Sequence, residues 1–188
     1  MIARELYLNK IRDFMDTPVI KVLTGMRRCG KSALLELIRE ELIQKGISEQ
    51  NIIYINFESL RYESLREFHS LYRHISEFAK KSTGKCYILL DEVQEVDGWE
   101  QTVNSLRVDL DCDIYVTGSN ARLLAGELAT LLAGRYVEIR IYPLSFSEYL
   151  DFAAQNPAES SLSKSEQLAT FFRYGGLPGI HQMKWEEN

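Results

Sequence analysis

Residues 25–32 read Gly25-Met26-Arg27-Arg28-Cys29-Gly30-Lys31-Ser32, a full G-x-x-x-x-G-K-S. No other feature restricts the fold of this chain as tightly, because the pattern works only as a loop joining a strand to a helix. Both flanks are present. Val19 to Thr24 is an apolar run rich in strand formers, and Ser32 to Lys45 carries Leu34, Leu35, Leu37, Ile38 and Leu42 at helical period before Gly46 ends it. In such a loop the glycines let successive backbone amides face phosphate oxygens, and the helix N-terminus adds its own amides and partial positive charge. The residues expected to hold a nucleotide are therefore Gly25 through Ser32 and Ala33 in the first helical turn. Lys31 is placed to reach the β and γ phosphates, and Ser32 to offer its hydroxyl to Mg2+.

The rest of the chain repeats the same rhythm. Apolar runs at Ile52 to Phe57, Cys86 to Asp91, Asp113 to Thr117 and Arg135 to Tyr142 alternate with segments of helical period. That alternation predicts an α/β fold with a mostly parallel five-stranded sheet wrapped by helices. The last run alternates polar and apolar residues and suits a sheet edge. A leading helix is expected over Arg4 to Met15. Further helix starts are signalled by Ser64-x-x-Glu67, Asp97-x-x-Glu100, Ser145-x-x-Glu148 and Ser163-x-x-Glu166, each matching a capping box.

The third apolar run ends in Asp91-Glu92, which puts two acids at the carboxyl edge of the sheet, where open α/β folds bind ligands. Asp91 is the expected second anchor for Mg2+, an ion that uses few carboxylates and keeps its waters. Glu92 is placed to orient and polarise an attacking water. The fourth run leads into Thr117-Gly118-Ser119-Asn120. Either Ser119 or Asn120 could touch the γ-phosphate or the water there, and the quartet also reads as a plain cap for a helix over Ala121 to Leu132.

Composition narrows the setting. With 22 basic and 27 acidic residues the net charge is −5, so bulk charge does not indicate a nucleic-acid partner. No apolar run approaches the roughly 20 residues of a membrane span, and an acid stands where a secretory signal would place its apolar stretch. Three unpatterned cysteines, Cys29, Cys86 and Cys112, point to a reducing, cytoplasmic setting. Cys29 beside Arg28 could carry a depressed thiol pKa. His69 and His74, five apart on one helix, do not make a zinc site. Trp99, Phe146 and Tyr149 are expected to pack helices onto the sheet. Beyond Pro143 the pattern turns polar, giving a division into residues 1–143 and a helical extension, 144–188, that reads as the start of a further region.

These residues resemble the AAA-like P-loop ATPases of bacteria and archaea in which the nucleotide-binding core precedes a C-terminal domain of unknown function. The likeness rests on Leu6-Tyr7-Leu8-Asn9-Lys10, the loop from Leu23 to Ser32, Ile53 to Glu58, Leu89-Leu90-Asp91-Glu92-Val93-Gln94, Thr117 to Ala121, Gly134-Arg135-Tyr136 and Tyr174-Gly175-Gly176-Leu177-Pro178. It implies a three-layer AAA-like/ASCE P-loop NTPase fold with strand order 5-1-4-3-2. It also implies ATP binding and hydrolysis, with Asp91 and Glu92 as the Walker B pair and residues 117–120 as a sensor. An arginine often completes such sites, and Arg122 and Arg135 are the candidates. Asn9-Lys10-Ile11-Arg12 lacks the final acid that reads guanine, so ATP is the expected nucleotide.

The leading expectation is a Mg2+-dependent ATPase with catalytic Lys31, Asp91, Glu92, Ser119, Asn120 and Arg135. The alternatives are a nucleotide-gated interaction switch with little turnover and, behind it, a small-molecule kinase, for which no acceptor pocket or lid is evident. A protein partner or oligomer formed through a further C-terminal region fits either leading reading.

Overall fold

The computed structural model describes residues 2–119 and 132–182. Five strands, β1 (Ile20–Gly25), β2 (Ile52–Asn56), β3 (Cys86–Asp91), β4 (Cys112–Ser119) and β5 (Tyr136–Ile141), form one sheet in the order β2-β3-β4-β1-β5. Every pairing is parallel. The order implied by the resemblance is the observed one, and β5, the strand of alternating pattern, lies at an edge.

Burial on both faces explains why the inner strands read as continuous apolar runs. On one face Val22, Ile55, Ile88, Leu90, Ile114 and Val116 pack with Leu71, Ile75, Val103 and Leu106, which belong to α3 (Phe68–Ala79) and α4 (Trp99–Asp109). On the other, Leu23, Leu89, Tyr115, Ile139 and Ile141 pack with Tyr7, Leu8, Ile11, Leu34, Leu35, Ile38 and Leu42. Those seven come from α1 (Glu5–Arg12) and α2 (Lys31–Gln44), so the molecule has three layers. Trp99 belongs to the first of these cores.

After β5 come α5 (Phe146–Ala153), the short α6 (Pro157–Ser160) and α7 (Lys164–Tyr174). They surround a small core of Leu144, Tyr149, Phe152 and Ala153, with Phe146 and Phe171 against it. At α5 and α7 the capping boxes are real, Ser145 with Glu148 and Ser163 with Glu166. The other two proposed boxes are corrected. Glu67, not Ser64, caps α3, its carboxylate accepting from the amides of His69 and Ser70. At α4 the capping residue is Gly98, in a left-handed conformation, where a side chain would press on Phe68 at 3.3 Å. Asp97 is instead drawn into a bridge with Glu67.

The amino-terminal edge of the sheet is pinned by polar groups. Lys21 and Asp113, both fully buried, form an ion pair. Asp113 also accepts from the Asp16 amide at 2.9 Å and the Tyr115 hydroxyl at 2.7 Å. Burial pulls the Lys21 ammonium below its usual range against the pull of Asp113. Among the described residues no helix is long and apolar enough to cross a membrane.

Candidate functional site

The parallel sheet brings the carboxyl ends of β1, β3 and β4 to one edge, and the predicted chemistry gathers there. β1 ends at Gly25, where an added Cβ would lie 2.4 Å from the Ile141 carbonyl oxygen, so only glycine fits. The chain then turns through Arg28 and Gly30, both with positive φ, 68° and 102°, into α2 at Lys31. Alternation of handed backbone of this kind points successive amides to one side, which is what an anion requires.

Lys31 is buried and folded onto its own loop, its Nζ donating to the carbonyls of Gly25 and Met26 at 3.3 Å each. It also lies 3.4 Å from Glu92 Oε1. Ser32 lies close enough to the Asp91 carboxylate to act against the rise of its pKa. Loop and acid pair therefore meet, with Ser32 near Asp91 and Lys31 paired with Glu92.

Asp91 is fully buried. Its carboxylate accepts from Thr117 Oγ1 and, at 3.2 Å, from the Tyr54 hydroxyl. Burial nevertheless raises its pKa, outweighing the bonds from Thr117 and Tyr54 and the nearby Ser32. Burial and the charge of Asp91 in turn push the Tyr54 phenol up. Glu92 follows with φ of 54°, an unusual conformation for a side-chain-bearing residue that swings its carboxylate off the strand. Its amide donates to Thr117 Oγ1 at 2.9 Å, and its carboxylate accepts from Gln94 Nε2. Thr117 thus grips both acids with one hydroxyl.

A cavity of about 460 Å³ opens over the loop, lined by Arg27, Arg28, Gly30, Lys31, Ser32, Ala33, Glu58 and Glu92. Its far wall is Pro178 and Gly179, residues of the strap that follows α7. The strap is fixed by Gly176, which accepts from the Leu144 amide at 2.6 Å and comes so close to Leu144 that an added Cβ would meet its carbonyl oxygen at 2.3 Å. Beside it a second cavity is lined by Arg27, Glu58, Glu92, Gln94, Glu95 and Ser119, so Ser119 and Glu92 open onto one space. Met26 and Arg27 are exposed, and Arg27 pairs with Glu58 at 3.2 Å.

Two expectations change. Cys29 is fully buried, and burial raises its thiol pKa, outweighing the nearby charges of Lys31 and Arg4, so it is no reactive thiolate. Arg135 precedes β5 and therefore sits at the opposite, amino-terminal edge. One strand length, about 20 Å at ~3.3 Å per residue, separates it from the loop. Its Nη1 reaches Asn104 Oδ1 at 3.0 Å, and it does not join the site of its own chain. Asn120 and Arg122 lie outside the described residues. Thr117, Tyr54 and Gln94 were not singled out for individual roles by sequence reasoning. The signal for Thr117 and Tyr54 is a polar residue inside an otherwise apolar strand.

Among the described residues no cluster of three or more His, Cys, Asp or Glu side chains could hold a metal by itself. The donors present, one hydroxyl on Ser32 and one carboxylate on Asp91, are hard oxygen ligands that suit Mg2+ completed by phosphate and water.

A family model described as "AAA domain" matches residues 17–150. An uncharacterized protein of Haemophilus influenzae is 48% identical over 180 residues, covering 96% of this chain and 44% of its own length. An uncharacterized protein of Methanocaldococcus jannaschii is 36% identical over 168 residues, covering 86% of this chain and 36% of its own. The chain thus spans less than half the length of these relatives. Among solved structures, AMPPCP-bound DnaA from Aquifex aeolicus is similar with a TM-score of 0.65 at 14% identity, over 97% of this chain and 60% of that one. The replication initiator DnaA bound to AMPPCP and single-stranded DNA gives 0.65 at 18% identity over the same shares. At these identities the likeness speaks to fold, and the fold agrees with the family match: this chain belongs to the AAA domain family.

Proposed function

We propose that the chain binds ATP with Mg2+ and hydrolyses it to ADP and phosphate. The observation that carries this reading is the meeting of the two halves of the site, Lys31 paired with Glu92 and Ser32 brought near Asp91 at the mouth of one loop. In this reading the amides from Arg28 to Ala33 cradle the phosphates, and Lys31 leaves Glu92 for the β and γ oxygens. Ser32 and Asp91 are the residues that would hold Mg2+, which would supply positive charge against the phosphates. Glu92, held by Thr117 and Gln94, is then free to orient a water for attack, with Ser119 beside it. Residues 1–143 form the ATPase unit and 144–188 the extension that walls it.

A switch with little turnover is the second reading, favoured by the double engagement of Glu92 by Lys31 and Gln94. The DnaA neighbours carry AMPPCP, and one carries single-stranded DNA. For this chain, with net charge −5, a protein partner or a second copy is the better-supported associate. The three cysteines, all free, accord with a cytoplasmic setting.

Titration with a fluorescent ATP analogue, with Mg2+ and with EDTA, tests the binding step. Saturable binding that weakens at least tenfold in Lys31→Ala supports the proposal; equal binding by the variant removes the loop from it.

A further inference from the structure

Arg4 is an arginine buried to within 4% of full coverage, and it lies outside the cavity rather than in its lining. It stacks on the Tyr7 ring, 4.5 Å from the centroid. Its Nη1 donates to the Cys29 carbonyl at 2.9 Å, and its Nε to Glu148 Oε1 at 2.8 Å. Its Nη2 is buried without a hydrogen-bond partner among the described residues. A buried cation with a spare donor is a poor way to stabilise a fold, which an apolar side chain would serve better. Its position suggests another use.

The Cys29–Gly30 peptide is trans, so the Cys29 carbonyl and the Gly30 N–H point in opposite directions within their shared plane. A donor that fixes the carbonyl on the outer side fixes the amide on the inner side, where Gly30 lines the cavity. The guanidinium charge also polarises that peptide and strengthens the amide as a donor. Glu148 is the third residue of α5 and part of its capping box with Ser145. Although burial works against it, the bonds from Arg4 and Ser145 hold its carboxyl below the usual range, so the charged partner is present at neutral pH.

We propose that Arg4 is a positioning residue: it turns the Gly30 amide toward bound phosphate and, through Glu148, links the conformation of the phosphate loop to the docking of α5. The inference rests on the nucleotide-binding reading above. The partner it recognises is the diphosphate portion of a nucleotide, not the base.

The test uses the full chain, with Mg-ADP and Mg-pyrophosphate displacing a fluorescent ADP analogue, in the parent, Arg4→Met and Glu148→Gln, each with its melting temperature. Arg4→Met is expected to lose about tenfold in affinity for ADP and the same factor for pyrophosphate. Glu148→Gln has one acceptor oxygen where the carboxylate has two, so it keeps the capping box with Ser145 by turning its NH2 toward Arg4 and gives up the bond from the guanidinium. It should lose about threefold. In hydrogen exchange, ADP should protect the amides of α5 in the parent and markedly less in Glu148→Gln. A folded Arg4→Met that binds both ligands within twofold of the parent overturns the inference. So does a parent in which ADP leaves α5 exchange unchanged. If Arg4→Met does not fold, Glu148→Gln decides: parental affinity together with parental α5 protection counts against the link. A parent that binds neither ligand brings down the nucleotide reading itself, a result distinct from any difference between variants.

Discussion

Lys31 Nζ and Glu92 Oε1 stand 3.4 Å apart, so the lysine of the loop is paired with the second acid of β3's carboxyl end. Under the proposed function, phosphate competes with Glu92 for Lys31, and removing the charge at Glu92 removes that competition. Glu92→Gln is therefore expected to bind ATP as tightly as the parent or up to severalfold tighter, while turnover falls at least a hundredfold. Equilibrium titration beside single-turnover kinetics checks both halves.

Burial disfavours the charge on Asp91. Burial raises its carboxyl pKa, so between the ordinary value, 3.8, and the raised one the folded chain keeps a proton that the unfolded chain has released. Stability then falls as pH rises through that window, and at neutral pH the ionised group is a cost. Asp91→Asn should raise the melting temperature at neutral pH by a few degrees, on the order of 1 kcal/mol at ~2–4 °C per kcal/mol, and abolish the Mg2+ dependence of nucleotide binding. Calorimetry across pH checks it; a melting temperature lowered by the substitution would show that the carboxylate is a net stabiliser.

Thr117 holds both acids through one oxygen, donating to Asp91 and accepting from the Glu92 amide. Thr117→Val keeps the shape and removes both bonds. The expected loss is about 1–3 kcal/mol of stability, with kcat falling more than KM rises, because the acid is displaced and the loop is not. Equal falls would assign Thr117 to binding.

Arg135 stands at the far edge of the sheet, so Arg135→Ala should leave nucleotide affinity unchanged. Any effect on turnover should grow with protein concentration, the sign of an arginine offered to a neighbouring copy. Phosphate release measured over a dilution series separates the two cases.

The Lys21–Asp113 pair lies at that same edge, away from the loop. Lys21→Met leaves a buried carboxylate without its cation and is expected to cost about 3–5 kcal/mol, read as a lowered urea midpoint, with ATP affinity unchanged in the folded fraction.

The strands were legible because inner parallel strands are buried on both faces and must be apolar throughout, as β3 shows from Cys86 to Leu90. The loop was legible because its glycines answer to sterics, as Gly25 against Ile141 shows. Caps were half legible: Ser145 and Ser163 act as their pattern predicts, whereas Glu67 supplies its own carboxylate and Gly98 starts its helix by backbone freedom. What could not be read was position across the sheet. Arg135 opens the predicted fifth strand, and strand direction puts that start at the edge opposite the loop. Arg4 meets Glu148 across 144 residues, and no local spacing announces such a pair.

Magnesium-dependent phosphate release from ATP by the parent and by Glu92→Gln, with nucleotide binding confirmed for both by fluorescence, decides whether Glu92 activates water. The parent is expected to turn over, and the variant to bind ATP at least as well without releasing phosphate. A variant that releases phosphate at the parental rate would contradict that role, since Glu92 would then have no part in activating water.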